Sequence, residues 1–129
     1  MEKKNVDSLI HPELSYVIVG LLFSVHNELG EFAKEKQYGD LIEKKLTELK
    51  LHHKRENRVS DSRNILDFIV DDKIILEIKA IRFINRECFR QIQNYLQQTG
   101  KKLGILVNFR TSYLKPIRVI KIDQNKNMV

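Results

Sequence analysis

Apolar residues recur at two different spacings, which divide the chain into a helical first part and a strand-rich remainder. Over residues 12–29 they fall at steps of three and four, which predicts a helix with one core-facing stripe. Pro12 suits the first turn of this helix, and Gly30 suits the position after its end. The same spacing predicts a second helix from about residue 32 or 33 to Leu49, although Gly39 within it costs about 1 kcal/mol relative to alanine.

Beyond residue 51 the pattern becomes that of β-strands, with one further helix among them. The predicted elements are strands at 52–60, 65–70 and 74–80, a helix at 86–98 that Gly100 ends, and strands at 103–109 and 117–122. The first of these strands has polar faces, which is typical of a sheet edge. The whole order is α, α, β, β, β, α, β, β.

The length and composition are those of one globular domain. The chain has 129 residues, of which 42% are hydrophobic and 31% charged, and this suits a single core at residues 1–129. Residues 1–9 are mainly polar and are expected to form a frayed end. No apolar run approaches the roughly 20 residues that a membrane span needs, so a soluble protein without a membrane partner is expected.

Cysteine content and net charge bear on the compartment and on the partner. The single cysteine, Cys88, can form no internal disulfide, which favours a reduced, cytoplasmic setting, and a packing role is favoured over a catalytic thiol. The formal net charge of +6 favours polyanionic partners, nucleic acid first.

Three charged residues interrupt the two most strand-like segments. Asp67 lies within Ile-Leu-Asp-Phe-Ile-Val, and Glu77 and Lys79 lie within Ile-Ile-Leu-Glu-Ile-Lys-Ala. Because alternate residues of a strand share a face, Glu77 and Lys79 are expected to point the same way. An unpaired carboxylate in an apolar strand is costly, and two adjacent carboxylates repel each other. A divalent cation removes both costs, and oxygen ligands of this kind suit Mg²⁺.

In a second interpretation, which the pattern leaves open, these charges lie on an exposed strand face and pair across strands. The hairpin between the two strands bears on this choice. Asp67 stands opposite Glu77 only if Val70 stands opposite Ile74, which requires a three-residue loop at 71–73. A two-residue loop would turn Asp67 to the other face. The metal hypothesis therefore predicts a loop of odd length.

These motifs, taken in order, resemble those of a nuclease superfamily. Asp67 with Glu77-Ile78-Lys79 resembles the D…(D/E)xK signature of the PD-(D/E)XK nucleases, and the segment 91–95 resembles the QxxxY motif of their RecB-like branch. From about Glu13 to about Ile120 the chain is similar to small bacterial proteins named for a GxxExxY signature. The matching stretches are 13–15, 25–30, 35–38, 67, 77–80, 94–96, 99–100 and 104–109. In one departure, Phe32 stands where that signature has its first glycine.

The resemblance implies a fold and a metal site. The fold is α/β with a restriction-endonuclease-like core, in which a central mixed β-sheet is flanked by helices. The metal is Mg²⁺, with Mn²⁺ as the alternative. Its implied ligands are Asp67, Glu77, the backbone carbonyl of Ile78, and Glu35 as a further acidic group. For Glu35 a plain surface glutamate stays open, because lysines flank it on both sides.

The resemblance also implies roles around the metal. Lys79 would act on the attacking water or on the phosphate. Gln91 would join the catalytic set by holding substrate or the surroundings of Lys79, and a helix-surface amide is the simpler alternative. Tyr95 would brace the third helix and take part in substrate binding, with a packed aromatic as the alternative. Basic residues such as Lys101 and Lys102 would contact the nucleic-acid backbone.

Three functions stay open on the sequence. The leading one is a Mg²⁺-dependent nuclease that hydrolyses phosphodiester bonds, in DNA before RNA. The second is a nuclease-fold module that binds nucleic acid or a protein partner with weak or no turnover. The third is a structural α/β protein whose charges pair internally. In a chain this small, a homodimer or a partner protein is expected to supply part of the recognition surface.

Overall fold

The order of helices and strands is the predicted one. The computed structural model describes residues 10–58 and 65–123. Its elements are α1 (Pro12–Leu29), α2 (Glu35–Glu48), β1 (His53–Arg58), β2 (Ile65–Val70), β3 (Ile74–Lys79), α3 (Arg86–Thr99), β4 (Leu103–Asn108) and β5 (Ile117–Ile120). The expected frayed end at 1–9 and the last two residues of the predicted strand 52–60 lie outside the described residues.

The five strands form one mixed sheet in the order β1-β2-β3-β4-β5. β3 and β4 are parallel, and every other neighbouring pair is antiparallel. Parallel neighbours need a crossover connection, and α3 lies in that connection between β3 and β4. The arrangement confirms the expected α/β architecture with a central mixed sheet.

Helices cover both faces of the sheet, and each face has its own apolar core. α1 and α2 pack on one face, where the rings of Tyr38 and Phe109 stack 4.2 Å apart. α3 packs on the other face, where its Ile92 joins Ile75 of β3 in a second core cluster. Because strand residues alternate, the side chain of Glu77 shares the α3 face with Ile75.

Two expectations from composition concern membranes and the cysteine. Within residues 10–58 and 65–123, no helix is long and apolar enough to cross a membrane. Cys88 is 7% exposed and belongs to the core cluster beneath α3, where it occupies a packing position.

The second helix begins at Glu35, later than predicted, because side chains hold the preceding backbone outside the helix. The hydroxyl of Tyr38 accepts the N–H of Ala33 and donates to the carbonyl of Gly30. The guanidinium of Arg110 donates to the carbonyl of Ala33 at 2.9 Å. The carbonyl of Ala33 is thereby satisfied outside a helix, whereas a longer helix would pair it internally, and the bonds of Tyr38 fix the backbone on either side of Phe32.

Gly39, which counted against the second helix, is explained by the close approach of Arg55. A Cβ built at Gly39 would lie 2.5 Å from Nη2 of Arg55. The same guanidinium bonds to Asp40 at 2.7 Å and to Glu43 at 3.1 Å, and it lies 5.5 Å from the ring centre of Phe68. The glycine therefore leaves room for an arginine that ties α2 to the sheet.

This packing predicts that Gly39→Ala will not stabilise the protein, although alanine gains about 1 kcal/mol in a free helix. In an Arg55→Ala background the same change will stabilise it by about that amount, because the obstructing side chain is gone. Chemical denaturation of the two single variants and the double variant checks this. Equal effects of Gly39→Ala in both backgrounds would show that the contact carries no energy.

Candidate metal centre and active site

The turn between β2 and β3 has the odd length that the metal hypothesis requires. Val70 pairs with Ile74, so the loop consists of residues 71–73. Asp71 and Asp72 have φ angles of 52° and 55°, a left-handed conformation that aspartate tolerates better than most residues. Continued along the strands, this register sets residue 67 opposite residue 77, so that both side chains lie on the α3 face.

At this position carboxylates take the place of backbone partners in the ladder between β2 and β3. The backbone N–H of Asp67 donates to Oε1 of Glu77 at 2.9 Å. The backbone N–H of Ile78 donates to Oδ2 of Asp67 at 2.7 Å. Each carboxylate is thus fixed by the opposite strand, and the two acidic groups stand side by side where the strands begin to separate.

Burial sets the electrostatics of this pair. Glu77 is 3% exposed, and burial, followed by the charge of Asp67, raises the pKa of Glu77 to about 8. Burial also raises the pKa of Asp67 to about 6, against a smaller lowering by the hydrogen bond from Ile78. Neither carboxylate forms an ion pair with a lysine or arginine of the described residues. The alternative of a solvated strand face is therefore wrong for Glu77.

These raised pKa values predict that the metal-free protein loses stability as the pH rises. Between the ordinary pKa of glutamate, 4.5, and about 8, the folded state holds a proton on Glu77 that the unfolded state has released. Since the folded state then binds more protons, its free energy of unfolding falls through this window, and Asp67 adds to the fall up to about pH 6. Urea denaturation in EDTA at pH 5 and pH 8 measures this; a free energy of unfolding that rises with pH would contradict it.

The amino group of Lys79 is positioned by α3. Its Nζ donates to Oε1 of Gln91 at 2.9 Å, and Nε2 of Gln91 donates to the hydroxyl of Tyr95 at 3.0 Å. Gln91 and Tyr95 are four residues apart and so share one helix face. Tyr95 is 1% exposed, and burial, followed by the charge of Glu77, raises its pKa to about 12. The structure therefore places Tyr95 behind Gln91 within the core, where it is closed to direct contact with substrate, and its bracing role stays a prediction.

Glu35 reaches the same region from the other face of the sheet. It is the first residue of α2, and its Oε2 accepts the backbone N–H of Ala80 at 3.1 Å, just after β3 ends. Glu35 and Asp67 line one cleft of about 290 Å³. The negative charge of Glu35 also contributes to the raised pKa of both Asp67 and Glu77. Phe32 has no left-handed φ, so the departure from the GxxExxY signature adds no backbone strain before Glu35.

The donor set fits a hard divalent cation. Among the described residues, the second oxygen of each carboxylate, Oδ1 of Asp67 and Oε2 of Glu77, accepts no hydrogen bond. The carbonyl of Ile78 points toward β2, as its N–H does, since both groups of a strand residue face the same side. The pair has no third side-chain ligand, because no group of three His, Cys, Asp or Glu side chains within 10–58 and 65–123 could hold a metal ion. Mg²⁺ needs only one or two carboxylates, because it keeps several waters.

Lys101 and Lys102 lie away from the carboxylate pair. β4 begins opposite Ile74, at the start of β3, and Lys79 lies at the far end of that strand, roughly 16 Å away at the usual rise per residue. Nζ of Lys101 bonds to Oδ1 of Asp72 in the hairpin turn at 2.9 Å. The proposed contact of these lysines with substrate stays a prediction.

One organising residue, Asn108, was not singled out as a site residue from the sequence. It ends β4 and is 7% exposed. Its Oδ1 accepts the N–H groups of Ile81 and Arg110, and its Nδ2 donates to the carbonyl of Ile81 at 2.8 Å. Asn108 thereby fixes the loop that follows Lys79. In the sequence, the one sign of this role is that Asn108 is a polar amide at the end of the otherwise apolar strand β4.

Comparison with known proteins agrees with this geometry. A family model of the PD-(D/E)XK nuclease superfamily matches residues 12–120. No match was found among curated proteins or among solved structures. Members of this superfamily generally use divalent metal ions. The matched range includes Glu35, Asp67, Glu77 and Lys79, and it spans most of the chain. The protein belongs to the PD-(D/E)XK nuclease superfamily.

Proposed function

We propose that this protein is a divalent-metal-dependent nuclease that hydrolyses phosphodiester bonds, in DNA before RNA, with Mg²⁺ as its ion and Mn²⁺ as a substitute. The observation that carries the proposal is the cross-bonded pair of buried carboxylates, Asp67 and Glu77. Burial without a cationic partner is unfavourable for both groups, and a bound cation would offset that cost. The arrangement is therefore better suited to binding a cation than to stabilising the fold.

Each residue around the cation would have a separate role. Asp67, Glu77 and the carbonyl of Ile78 would hold Mg²⁺, and Glu35 would act from the cleft as a further acidic group, through a metal-bound water. When bound, the ion would neutralise phosphate charge and lower the pKa of a water molecule. Lys79 would donate to a phosphate oxygen or orient the attacking water.

Gln91 is the positioning residue for Lys79. Its amide oxygen holds the ammonium group at 2.9 Å, and its amide nitrogen is itself held by Tyr95. Because a well-placed donor acts most strongly when it needs no rearrangement, this chain of two hydrogen bonds supports a catalytic use of Lys79. Gln91 and Tyr95 are also the two residues that match the QxxxY motif. Their position beside Lys79 supports placing the protein in the RecB-like branch, and with it the expected membership of the bacterial, cytoplasmic GxxExxY group.

A second candidate is a nuclease-fold module that binds nucleic acid or a protein partner with weak or no turnover. It is favoured by the lack of a third ligating side chain close to the pair among the described residues. Two carboxylates alone bind Mg²⁺ weakly, and substrate phosphate or a partner protein, including a second copy of this chain, would then have to complete the site.

A cleavage assay tests the proposal. The natural chain, Asp67→Asn and Asp72→Asn are incubated at low salt with labelled DNA and RNA, single- and double-stranded, in Mg²⁺, Mn²⁺ or EDTA. We expect cleavage only with a divalent ion, with loss of about 100-fold or more in Asp67→Asn. Asp72→Asn changes the same residue type in the turn of the same hairpin and should cleave normally. No cleavage of any substrate with either ion would favour the binding module.

A further inference from the structure

Three exposed aromatic side chains lie on three different loops at one end of the sheet. Phe32 is 80% exposed in the loop before α2, Phe83 is 71% exposed in the loop after β3, and Tyr113 is 83% exposed in the loop after β4. We call these three side chains the aromatic rim. Single exposed aromatics are common, but three at neighbouring positions around one site are a feature that requires explanation.

Hydrogen bonds join the first and third of these loops. The guanidinium of Arg110 donates to the carbonyl of Glu31 at 3.1 Å and to that of Ala33 at 2.9 Å. Phe32 is the residue between these two carbonyls. The hydroxyl of Ser112, next to Tyr113, donates to the carboxylate of Glu31 at 3.4 Å. The backbones that carry Phe32 and Tyr113 are therefore held together.

The second loop is joined to the same structure. Asn108, at the end of β4, binds both the N–H and the carbonyl of Ile81, two residues before Phe83. Asn108 also accepts the N–H of Arg110, so one amide connects the loops after β3 and β4. The bond from Ala80 to Glu35 connects the loop after β3 with the start of α2. The loops that carry the aromatic rim are thus tied to Ala80 and to Glu35, and Glu35 lines the cleft that also contains Asp67.

Basic residues accompany two of the three rings. Exposed Arg82 adjoins Phe83, with its guanidinium 5.4 Å from the ring centre, and exposed Lys115 follows Tyr113 by two residues. A surface for a folded protein partner would group its apolar side chains into one dry centre, with charged residues at the edge. Exposed rings accompanied by cations instead suit a polyanion whose flat groups can stack.

We propose that the aromatic rim binds single-stranded nucleic acid by stacking unpaired bases and so presents the adjoining phosphate to the cleft that Glu35 and Asp67 line. In a duplex the base faces are already covered by neighbouring pairs, so only an unpaired strand can offer them to these side chains. The inference rests on the proposed function and names its substrate class: single strands, or single-stranded ends and loops of DNA or RNA.

Binding without cleavage tests the inference. Fluorescence anisotropy in EDTA, repeated with Ca²⁺, compares a single-stranded oligonucleotide, its duplex, and an abasic strand of the same length. We expect the natural chain to bind the single strand about 100-fold more tightly than either of the others. Replacing Phe32, Phe83 and Tyr113 with leucine should remove this preference, with each change contributing about fivefold or more. DNA and RNA strands run in parallel show whether the sugar matters.

Tyr16 provides the matched control. It is 82% exposed on α1, roughly 21 Å along that helix from Gly30, and Tyr16→Leu should leave binding unchanged. Tyr113→Phe keeps the ring and should also bind normally. Equal binding of single strand and abasic strand, or unchanged single-strand binding by the triple variant, would overturn the inference.

The outcome is separable from that of the proposed function. Rim-dependent binding of single strands without cleavage in Mg²⁺ or Mn²⁺ would sustain the inference and contradict the nuclease. Metal-dependent cleavage at the same rate with and without the three leucine changes would support the nuclease and contradict the inference.

Discussion

Replacing Glu77 with glutamine will abolish metal-dependent cleavage and at the same time stabilise the metal-free protein at pH 8. Both effects come from the same charge. The carboxylate is required to hold a cation, but without one its ionisation, which begins only near pH 8, puts a charge at a site that is 3% exposed. Glutamine keeps an oxygen that can accept the N–H of Asp67, so the strand contact can persist.

The sign and the pH window follow from the raised pKa of Glu77. Below about pH 4.5 the side chain is protonated in both folded and unfolded states, so its ionisation costs no stability. Above about pH 8 it is ionised in both states, and the full cost of the buried charge is present. We therefore expect Glu77→Gln to gain roughly 2–4 kcal/mol at pH 8 and little at pH 4, since one pKa unit corresponds to about 1.4 kcal/mol.

Urea denaturation in EDTA measures this gain, and Glu48→Gln is the matched control. Glu48 is an exposed glutamate at the end of α2, and its replacement should change neither stability nor cleavage. If Glu77→Gln destabilised the metal-free protein at pH 8, the carboxylate would be a structural group, and the metal hypothesis would lose its physical basis.

Replacing Lys79 with methionine will reduce cleavage by about 100-fold or more while leaving affinity for the divalent ion nearly unchanged. The ammonium group lies on the strand face of Glu77 and is held by Gln91, so its removal takes away a placed donor without removing a metal ligand. Methionine has a similar length and fills the half-buried space. Cleavage kinetics and calorimetric titration with Mn²⁺ measure the two effects separately.

Lys44→Met serves as the control, because Lys44 is exposed on α2 and outside the cleft. Gln91→Ala should fall between the natural chain and Lys79→Met, since the amine remains but is no longer held. Full cleavage by Lys79→Met would remove the lysine from the active site. A parallel loss of Mn²⁺ affinity would instead show that it acts by fixing the carboxylates.

Part of this site followed from the sequence because strand geometry is periodic. Alternation alone puts Glu77 and Lys79 on one face. Asp67 joins them only through the length of the following turn, and the sequence left that length open. The left-handed conformations of Asp71 and Asp72 produce the three-residue loop, and such conformations are accessible to aspartate without being required by it.

Other features depend on contacts between distant segments. The late start of α2 results from Arg110 and Tyr38, which hold backbone that could otherwise be helical. Lys101 and Lys102 come shortly after α3 in the sequence, and from the sequence they are expected to contact the nucleic-acid backbone. The parallel pairing of β4 with β3 puts them at the opposite end of the sheet from Lys79. A local pattern of charges cannot reveal this, because it contains no information on strand direction.

The most direct test is a crystal structure of the protein grown with Mn²⁺ and measured for anomalous scattering. We expect one strong anomalous peak between Asp67 and Glu77, within roughly 2.0–2.3 Å of an oxygen of each, as for a hard ion with oxygen ligands. A peak that touches only one of these carboxylates, or peaks confined to exposed acidic residues, would show that Asp67 and Glu77 do not form a metal centre together.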